Sequence, residues 1–488
     1  CFKEYFFTKA GLFGNNENQL IIEGILLGIS INILEGNALN LKELYKEKLM
    51  SAPEAAGMVK NHSEVWIGIA VPVPLALVDA LVDREPEVED ITINHIVDIH
   101  PQNTWRKMGR ETNIKVDCGY PSASRDLVVS GEFTLTPNRF TELPKIYTDE
   151  NFRPMNVAMV LVTPMDKHGY FCLGVGADAT LAIAKNAAKK RREGDDSYMV
   201  LAQVNNYVPR SRGMNYLHIS DITAIVEQDQ ELAVIPETLE MTPEETIIGR
   251  YCAEFVKDGS TIQLGIGSIP NAVALAFLDT HVKDLGIHSE MACDTMTNLW
   301  EAGIVTNRRK TFMPYRSIFT FAMGTRKLYD WIDDNPGVEF YPVDFVNNPH
   351  IIGKNDNMVS INACLQVDLT GQICSESLGY KQYTHPGGQL DFVDGAFQSK
   401  GGVSIIATTS TATPSSGNGE MISKIAPQIT PGGIITTPRS CADYVVTEYG
   451  AAKIKGQSIR QRVKNIISVA HPDFRDELMF EARRRNLI

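Results

Sequence analysis

The chain has 488 residues, with 46 Lys and Arg against 59 Asp and Glu, which gives a formal net charge of −13. This length suits about two to four domains, and the hydrophobic content of 43% is ordinary for a globular protein. The negative charge argues against broad contact with DNA or RNA, because neutralising a phosphate backbone needs a basic surface.

Residues 1–40 are interpreted as an extension to which no chemistry is assigned. The apolar run from Ile21 to Leu34 carries Glu23, and its 14 residues are too few to span a bilayer. No A-x-A cleavage site follows the run, as a secretory signal peptide would require. We therefore expect no membrane partner for this chain.

From residue 41 onward, short β-rich runs alternate with longer amphipathic segments. Strands are predicted, in chain order, for residues 65–71, 91–99, 157–162, 170–175 and 199–204, and helices for residues 75–82 and 179–190. An acidic linker with Pro236 and Pro243 follows at residues 226–245. Strands alternating with helices indicate parallel sheets that helices cover on both faces.

A capping box marks the start of the second half. Thr242 is the predicted N-cap, Pro243 takes the first helical position and Glu245 completes the box of a helix over residues 244–256. Further strands are predicted for residues 261–265, 359–365, 403–407 and 434–437, and the chain ends in an Arg-rich helix. The predicted fold class is α/β, with two open, mostly parallel α/β domains at residues 41–228 and 229–488.

The eight cysteines are spread along the chain and form no C-x-x-C pair. Zinc ribbons and dithiol redox sites are therefore disfavoured. Most of the cysteines lie in apolar runs, where a reduced, buried Cys acts as a small hydrophobe. A reducing, cytoplasmic location is the interpretation that fits best.

Several common catalytic motifs are missing, namely the P-loop, G-x-S-x-G and H-E-x-x-H. One dinucleotide-like fingerprint is present, with Gly174, Gly176 and Ala179 between a strand and a helix. It favours a nicotinamide-dependent dehydrogenase as a rival hypothesis. Tight packing between strand and helix explains the same glycines, and we prefer that explanation.

The second half is richer in candidate site residues. Gly265 and Gly267 form a turn between a strand and a helix, where a ligand can approach the backbone closely. Glu290 follows a short apolar strand, and Asn347 is expected at the end of another strand. The pair Gly387 and Gly388 can expose backbone N–H groups to an anion. Strand ends of this kind cluster at the carboxyl edge of an open α/β sheet, where ligands bind.

Together these segments resemble the acetyl-CoA hydrolase/transferase family, and within it the 4-hydroxybutyrate and butyrate:acetate CoA-transferases. The resemblance is carried by QLGIGSIP (263–270), LGIHSEM (285–291), FAMGTRKLYD (321–330), VDFVNNP (343–349), INACLQVDLTGQI (361–373), GGQLDFVDGA (387–396), PRSCADYVVTEYG (438–450) and AHPDFRDEL (470–478). It extends more weakly through the first domain and covers residues from about 41 to 488.

The resemblance implies that Glu290 is the nucleophile. A Glu with its ordinary pKa of about 4.3 is ionised at neutral pH and needs no general base to attack a thioester. The implied intermediates are an acyl-glutamyl anhydride and a glutamyl-CoA thioester. Coenzyme A thioesters enter as substrates, and no metal or redox cofactor is implied. Relatives also suggest a homo-oligomer.

The resemblance gives the other candidates their roles. Gly387 and Gly388 are implied to stabilise the oxyanion, and Asn347 is implied to lie near the reacting carbonyl and CoA. Gly265 and Gly267 are implied to frame the acyl and pantetheine site. We expect this site to bind CoA, itself a polyanion, through a few amides and local cations.

The chain departs from the family pattern at some positions. His385 stands where the family usually has glycine, which puts the shape of the glycine loop in question. Val403 replaces a frequent lysine, and Lys400 is a candidate substitute for its contact with a CoA phosphate. The connection at residues 185–198 is longer than usual.

The leading hypothesis is a CoA-transferase that moves CoA between a short-chain acyl-CoA and acetate. The acyl group is of the 4-hydroxybutyryl, butyryl or propionyl class. The alternative within the family is an acyl-CoA hydrolase, which differs in whether water reaches the covalent intermediate. The more distant rivals are the dehydrogenase and a CoA-binding module without catalytic activity.

Overall fold

The computed structural model describes residues 40–100, 103–235, 240–265, 267–413 and 419–488. The chain divides into two units, Cys1–Glu47 and Lys48–Ile488. Of the first unit the described residues are 40–47, which begin helix α1 (Leu41–Lys48). The predicted extension otherwise lies outside the described residues. No helix within these described ranges combines the length and the apolar character of a membrane span.

The second unit carries the remaining helices. In the described part of the chain they are α2 (Ala52–Gly57), α3 (Leu75–Val82), α4 (Arg125–Ser130), α5 (Leu143–Ile146), α6 (Thr180–Arg192), α7 (Pro243–Ala253), α8 (Ser268–Thr280), α9 (Asp294–Glu301), α10 (Arg326–Ile332), α11 (Val343–Val346), α12 (Pro349–Ile352), α13 (Gln389–Gln398), α14 (Ile459–Ser468) and α15 (Pro472–Arg484).

A first six-stranded sheet is wholly parallel. Its strands are β1 (Glu64–Ile69), β2 (Ile91–Ile96), β3 (Ile114–Gly119), β4 (Val157–Val162), β5 (Met199–Val204) and β6 (Ala224–Glu227). They lie in the order β3-β2-β1-β4-β5-β6, so the order reverses between β1 and β4. This is the doubly wound arrangement, and we call the region from β1 to β6 the first domain.

A second six-stranded sheet follows, made of β7 (Thr261–Leu264), β8 (Gly286–Ile287), β9 (Met358–Ala363), β10 (Val403–Ala407), β11 (Tyr444–Thr447) and β12 (Gly450–Lys453). The order is β8-β7-β9-β10-β11-β12, and only the last pair is antiparallel. We call the region from α7 to α15 the second domain. The predicted fold class, two open and mostly parallel α/β domains, is confirmed; the boundary between residues 228 and 229 stays a prediction.

The predicted capping box at Thr242 is confirmed, and the helix that it begins is Pro243–Ala253. The Glu245 amide donates to Thr242 Oγ1 at 3.2 Å, and the Thr242 amide donates to Glu245 Oε2 at 2.9 Å. Both halves of the capping box are therefore formed, and they satisfy amides that a helix start leaves unpaired. Between Glu227 and Pro243, the described residues carry no helix or strand.

One predicted strand is wrong. Residues 434–437 have β-branched side chains, but Ile434 and Ile435 are exposed, and only Thr437 forms an isolated bridge with Ile373. The sheet instead uses Tyr444–Thr447, which pairs with β10. The β propensity of residues 434–437 is outweighed because the later segment buries its valines in the core.

The glycines of the dinucleotide-like fingerprint serve packing. A Cβ at Gly174 would overlap the Val208 side chain, and one at Gly176 would overlap Pro72. The strand before them, Tyr170–Cys172, pairs antiparallel with Tyr216–His218 and is no part of the parallel sheet. The dehydrogenase hypothesis is therefore disfavoured, because a dinucleotide phosphate site requires a strand of the parallel sheet that leads directly into a helix.

Candidate active site

A cavity of about 320 Å³ lies at the carboxyl ends of β7 and β9. The strand order of the second sheet reverses between these two strands, which is the usual ligand position in open α/β sheets. The first domain closes the cavity with residues that follow β2 and β3. The walls include Val97, Tyr120 and Arg125 from the first domain and Gly265, Glu290 and Asn362 from the second.

Glu290 is held at the cavity by the short segment that follows β8. The backbone N–H of His288 donates to Ile262 O at 3.2 Å, and Ser289 Oγ donates to Leu264 O at 3.2 Å. Both acceptors belong to β7, so the segment runs beside the strand whose carboxyl end lines the cavity. The contacts of the two preceding residues with β7 therefore fix the backbone at Glu290.

The carboxylate of Glu290 meets two donors. Asn347 Nδ2 donates to Glu290 Oε2 at 2.7 Å, and the backbone N–H of Gly388 donates to the same carboxylate. Desolvation of the carboxylate nevertheless raises the pKa of Glu290 to about 7, and the nearby Asp391 carboxylate adds to the rise. Glu290 therefore departs from the expected ordinary glutamate, because burial moves its pKa from about 4.3 toward neutral pH.

Asn347 lies at the end of a helix and not at the end of a strand, as the sequence had suggested. It is the C-cap of the four-residue helix α11, whose N-cap is Pro342. Its side chain is completely buried, and its Nδ2 also lies 3.4 Å from Asp391 Oδ2. The side chain therefore contacts two carboxylates at once, from behind the cavity wall.

The two glycines of the pair have different surroundings. The N–H of Gly387 donates to His385 Nδ1 at 3.2 Å, and its carbonyl accepts from the Phe140 amide at 3.3 Å. Gly388 faces Glu290, and a Cβ there would overlap both Glu290 Oε2 and Asn347 Nδ2. Of the two predicted oxyanion donors, only Gly388 has its amide directed at the carboxylate, since the Gly387 amide is already engaged.

The two remaining candidates, Gly265 and Gly267, differ in whether they line the cavity. Gly265 lines the cavity at the end of β7, and a Cβ there would lie 4.0 Å from Pro270 Cγ. Gly267 is the N-cap of α8 with a φ of 119°, a conformation that favours glycine, and it does not belong to the described cavity wall. The structure therefore brings together Gly265, Glu290 and Gly388, with Asn347 behind them.

His385 replaces the family's usual glycine and lies in the wall of the cavity. Its Nε2 lies 3.1 Å from the carbonyl of Thr136 in the first domain, so the ring joins the glycine loop to that domain. Lys400 is exposed and is not part of the described cavity wall. Its contact with a CoA phosphate stays a prediction.

The first-domain side of the cavity was not predicted from the sequence. Arg125 is the only Lys or Arg among the described residues of the wall. Its guanidinium lies 3.8 Å from the centre of the Tyr383 ring, and its Nε donates to Tyr383 O at 2.8 Å. Tyr120 and Arg125 follow β3, so the carboxyl-edge argument used for the second domain would have found them in the first.

Comparisons with known proteins agree with this geometry. Residues 36–236 match the acetyl-CoA hydrolase/transferase N-terminal domain, and residues 324–482 match the C-terminal domain of the same family. A 4-hydroxybutyrate coenzyme A transferase of Clostridium kluyveri is 44% identical over 91% of this chain and 99% of that protein. A succinyl-CoA:cyclohexane-1-carboxylate CoA transferase of Geobacter metallireducens is also 44% identical, over 91% of this chain and 97% of that protein.

The solved structure of RipA from Yersinia pestis has a TM-score of 0.83 and 38% sequence identity, and the match covers 92% of this chain and 100% of that one. The chain belongs to the acetyl-CoA hydrolase/transferase family. The predicted enzyme class, an acyl-CoA:carboxylate CoA-transferase, is confirmed. Proteins named as hydrolases match at lower identity.

The raised pKa of Glu290 predicts a pH-dependent rate. The carboxyl group is protonated below its pKa and can attack a thioester only as the carboxylate above it. We therefore expect kcat/KM to rise with pH through a midpoint of about 7 and then to level off. This rise of kcat/KM with pH, the rising limb of the profile, is measured by initial rates of acyl exchange from pH 5.5 to 9. A midpoint near the ordinary Glu pKa of about 4.3 would contradict the prediction.

The contact between Gly388 and the carboxylate predicts a sharp loss in Gly388→Ala. The φ of −94° at this position accepts alanine, so the added methyl group harms the site through overlap with Glu290 and Asn347. We expect kcat to fall by at least about a hundredfold with an unchanged melting temperature.

The matched control is Gly57→Ala at the end of α2, where a Cβ meets no atom within 4 Å. It should retain the parent rate. A Gly388→Ala enzyme with a kcat within about threefold of the parent would show that the close approach of residue 388 to the Glu290 carboxylate is not needed.

Proposed function

We infer that the protein transfers CoA from a short-chain acyl-CoA to acetate in this cavity, and that Glu290 carries the acyl group covalently during the reaction. The acyl group is of the 4-hydroxybutyryl, butyryl or propionyl class. The observation that carries the proposal is that Glu290 is the only carboxylate among the described residues of the cavity wall.

Other nucleophiles on the wall are poorly suited. Burial raises the pKa of Cys364 to about 11, so its thiol stays protonated at neutral pH. Ser375 Oγ donates to Ala363 O at 3.3 Å, and His385 is engaged at both ring nitrogens. Glu290 remains as the group that can be ionised and directed at a substrate.

The reaction begins when the Glu290 carboxylate attacks the thioester carbonyl. The carbon–sulfur bond breaks, CoA leaves as the thiolate, and an acyl-glutamyl anhydride forms. The thiolate then attacks the glutamyl carbonyl, which releases the first acid as its carboxylate and leaves a glutamyl-CoA thioester. Acetate then attacks the glutamyl carbonyl of this thioester and expels the CoA thiolate, which leaves an acetyl-glutamyl anhydride. The thiolate attacks the acetyl carbonyl of the anhydride, which forms acetyl-CoA and releases the Glu290 carboxylate.

Each of these steps passes through a tetrahedral intermediate with an oxyanion. The Gly388 amide and Asn347 Nδ2 already donate to the Glu290 carboxylate, so they are suited to stabilise the oxyanion that develops on the glutamyl carbon. Every step is an acyl transfer between oxygen and sulfur, and the proposed cycle needs no metal or redox cofactor.

The activated intermediates survive only if water is kept away from them. The wall beside Glu290 is formed largely by apolar side chains, including Met291, Phe321, Met323 and Phe392. Such a surface offers water few hydrogen-bond partners, which favours transfer to a carboxylate over hydrolysis.

The cavity volume of about 320 Å³ is at the small end of ligand sites, which supports a short acyl group. Two relatives of equal identity are named for 4-hydroxybutyrate and for cyclohexane-1-carboxylate, so overall identity does not decide the acyl group. Side chains on the wall decide it, and His385 is prominent because it fills space that a glycine would leave open.

We also propose a cytoplasmic location and a homo-oligomer. The cysteines from Cys118 to Cys441 are all free, and six of these seven are buried, which suits a reducing compartment. The homo-oligomer rests on the family resemblance.

Glu290→Gln tests the nucleophile. The amide cannot form the anhydride, so we expect acyl exchange to fall more than about a thousandfold. In the parent enzyme, incubation with butyryl-CoA alone followed by borohydride should convert Glu290 to an alcohol, which mass spectrometry of its peptide detects. Glu376→Gln, at a buried carboxyl group off the cavity wall, is the matched control and should keep the adduct.

Full turnover in Glu290→Gln would refute this function. The same assay separates transfer from hydrolysis: with 4-hydroxybutyryl-, butyryl- and propionyl-CoA, transfer requires added acetate, whereas free CoA released without an acceptor acid indicates a hydrolase.

Arg125 is expected to attract the acceptor, because acetate is an anion and the described cavity wall offers no other cationic side chain. Loss of a hydrogen bond to a charged group costs about 1.5–3 kcal/mol, so Arg125→Gln should raise the KM for acetate about 10–100-fold. Arg125→Lys keeps the charge and should lose less. A higher KM for the acyl-CoA alone would instead place a CoA phosphate at Arg125.

A further inference from the structure

The Asn347 side chain connects the carboxylate of Glu290 to a second, deeper carboxylate. Its Nδ2 lies 2.7 Å from Glu290 Oε2 and 3.4 Å from Asp391 Oδ2. Both Asn347 and Asp391 are completely buried. The amide nitrogen of Asn347 has two hydrogens, one for each carboxylate. If Asp391 is fixed, the amide group cannot rotate freely, and its second hydrogen stays directed at Glu290.

Asp391 is itself held by the first domain. Arg139 Nε donates to Asp391 Oδ1 at 2.8 Å, and the Thr141 amide donates to Asp391 Oδ2 at 3.1 Å. A terminal guanidinium nitrogen of Arg139 also lies 3.1 Å from Asp394 Oδ2. Asp391 and Asp394 are three residues apart on α13, so they share one face of the helix and Arg139 bridges them.

We propose that Arg139 and Asp391 are positioning residues for the nucleophile: the first domain fixes Asp391, and Asp391 holds the Asn347 amide against Glu290. The inference rests on the proposed function, in which Glu290 is the attacking group. Neither Arg139 nor Asp391 is part of the described cavity wall, so both act through Asn347.

The arrangement has an electrostatic consequence that the experiment can use. Titratable or charged groups around Glu290, in the described residues, are Asp391 on α13, Tyr120 after β3, and, on the cavity wall, Arg125, Cys364, Tyr383 and His385. Of these, the Asp391 carboxylate raises the pKa of Glu290, because two nearby negative charges repel each other. Removal of that charge should lower the pKa of Glu290.

The test is the pH dependence of kcat and kcat/KM in Asp391→Asn. We expect kcat on the high-pH plateau to fall about 10–100-fold because Asn347 is less well held. Loss of the Asp391 charge lowers the pKa of Glu290, whereas a loosened Asn347 raises it, so the midpoint of the pH profile shows which contribution is larger. Asp394→Asn is the matched control: it makes the same chemical change on the same helix and touches Arg139 but not Asn347, so its plateau kcat should match that of the parent. A plateau kcat in Asp391→Asn within about threefold of the parent's overturns the inference.

Arg139 gives a second route if Asp391→Asn does not fold. Arg139→Gln should lower kcat about tenfold or more with the KM for acyl-CoA within about threefold, and Arg139→Lys should recover part of the loss. A parent kcat in Arg139→Gln, or an equal loss in both variants, counts against a positioning role.

The borohydride adduct in the parent enzyme separates this inference from the proposed function. If no adduct forms at Glu290, both the proposed function and this inference are refuted. An adduct in the parent together with a parent-like plateau kcat in Asp391→Asn refutes the inference alone.

Discussion

A carboxylate withdrawn from water is stable only where hydrogen-bond donors replace the lost solvent. Glu290 has two such donors, the Asn347 side chain and the Gly388 amide, and each depends on its own helix. Helix α11 ends just before Asn347, and helix α13 begins just after Gly388. These two helix ends, one on each side of a single side chain, thus supply the groups that replace water at that carboxylate.

The same contact sets a balance between nucleophilicity and ionisation. The two donors lower the pKa of Glu290, whereas desolvation and Asp391 raise it, and the result is a pKa of about 7. A more basic carboxylate attacks a carbonyl more readily, but a smaller fraction of it is ionised at a given pH. A pKa close to the working pH is the usual compromise between these two effects.

Much of this arrangement could be predicted from the sequence, because it follows from local patterns. Polar residues and glycines at strand ends predicted that Gly265, Glu290 and Gly388 would meet at one edge of a parallel sheet. The capping box at Thr242 could also be predicted, because its two partners are only three residues apart in the sequence. The resemblance to a family added the role of Glu290, which is one of 59 acidic residues and has no local pattern that singles it out.

What could not be predicted depends on tertiary contacts. Helix α11 has four residues, too few to show a helical period, so Asn347 was expected at the end of a strand. The pair between Arg139 and Asp391 joins residues 252 positions apart. The pKa of Glu290 depends on desolvation, which no local pattern reveals. Residues 434–437 have the propensity of a strand but are not in the sheet, because Tyr444–Thr447 buries more apolar surface there.

The link from Arg139 to Asp391 also bears on how such enzymes can change over evolution. A protein made of two α/β halves could in principle exchange one half for that of a relative and acquire a new cavity wall. Here the nucleophile lies in one half and the cation at the end of its hydrogen-bond chain lies in the other. A recombined enzyme keeps a well-held Glu290 only if both halves bring matching partners, so the two halves have to be inherited together.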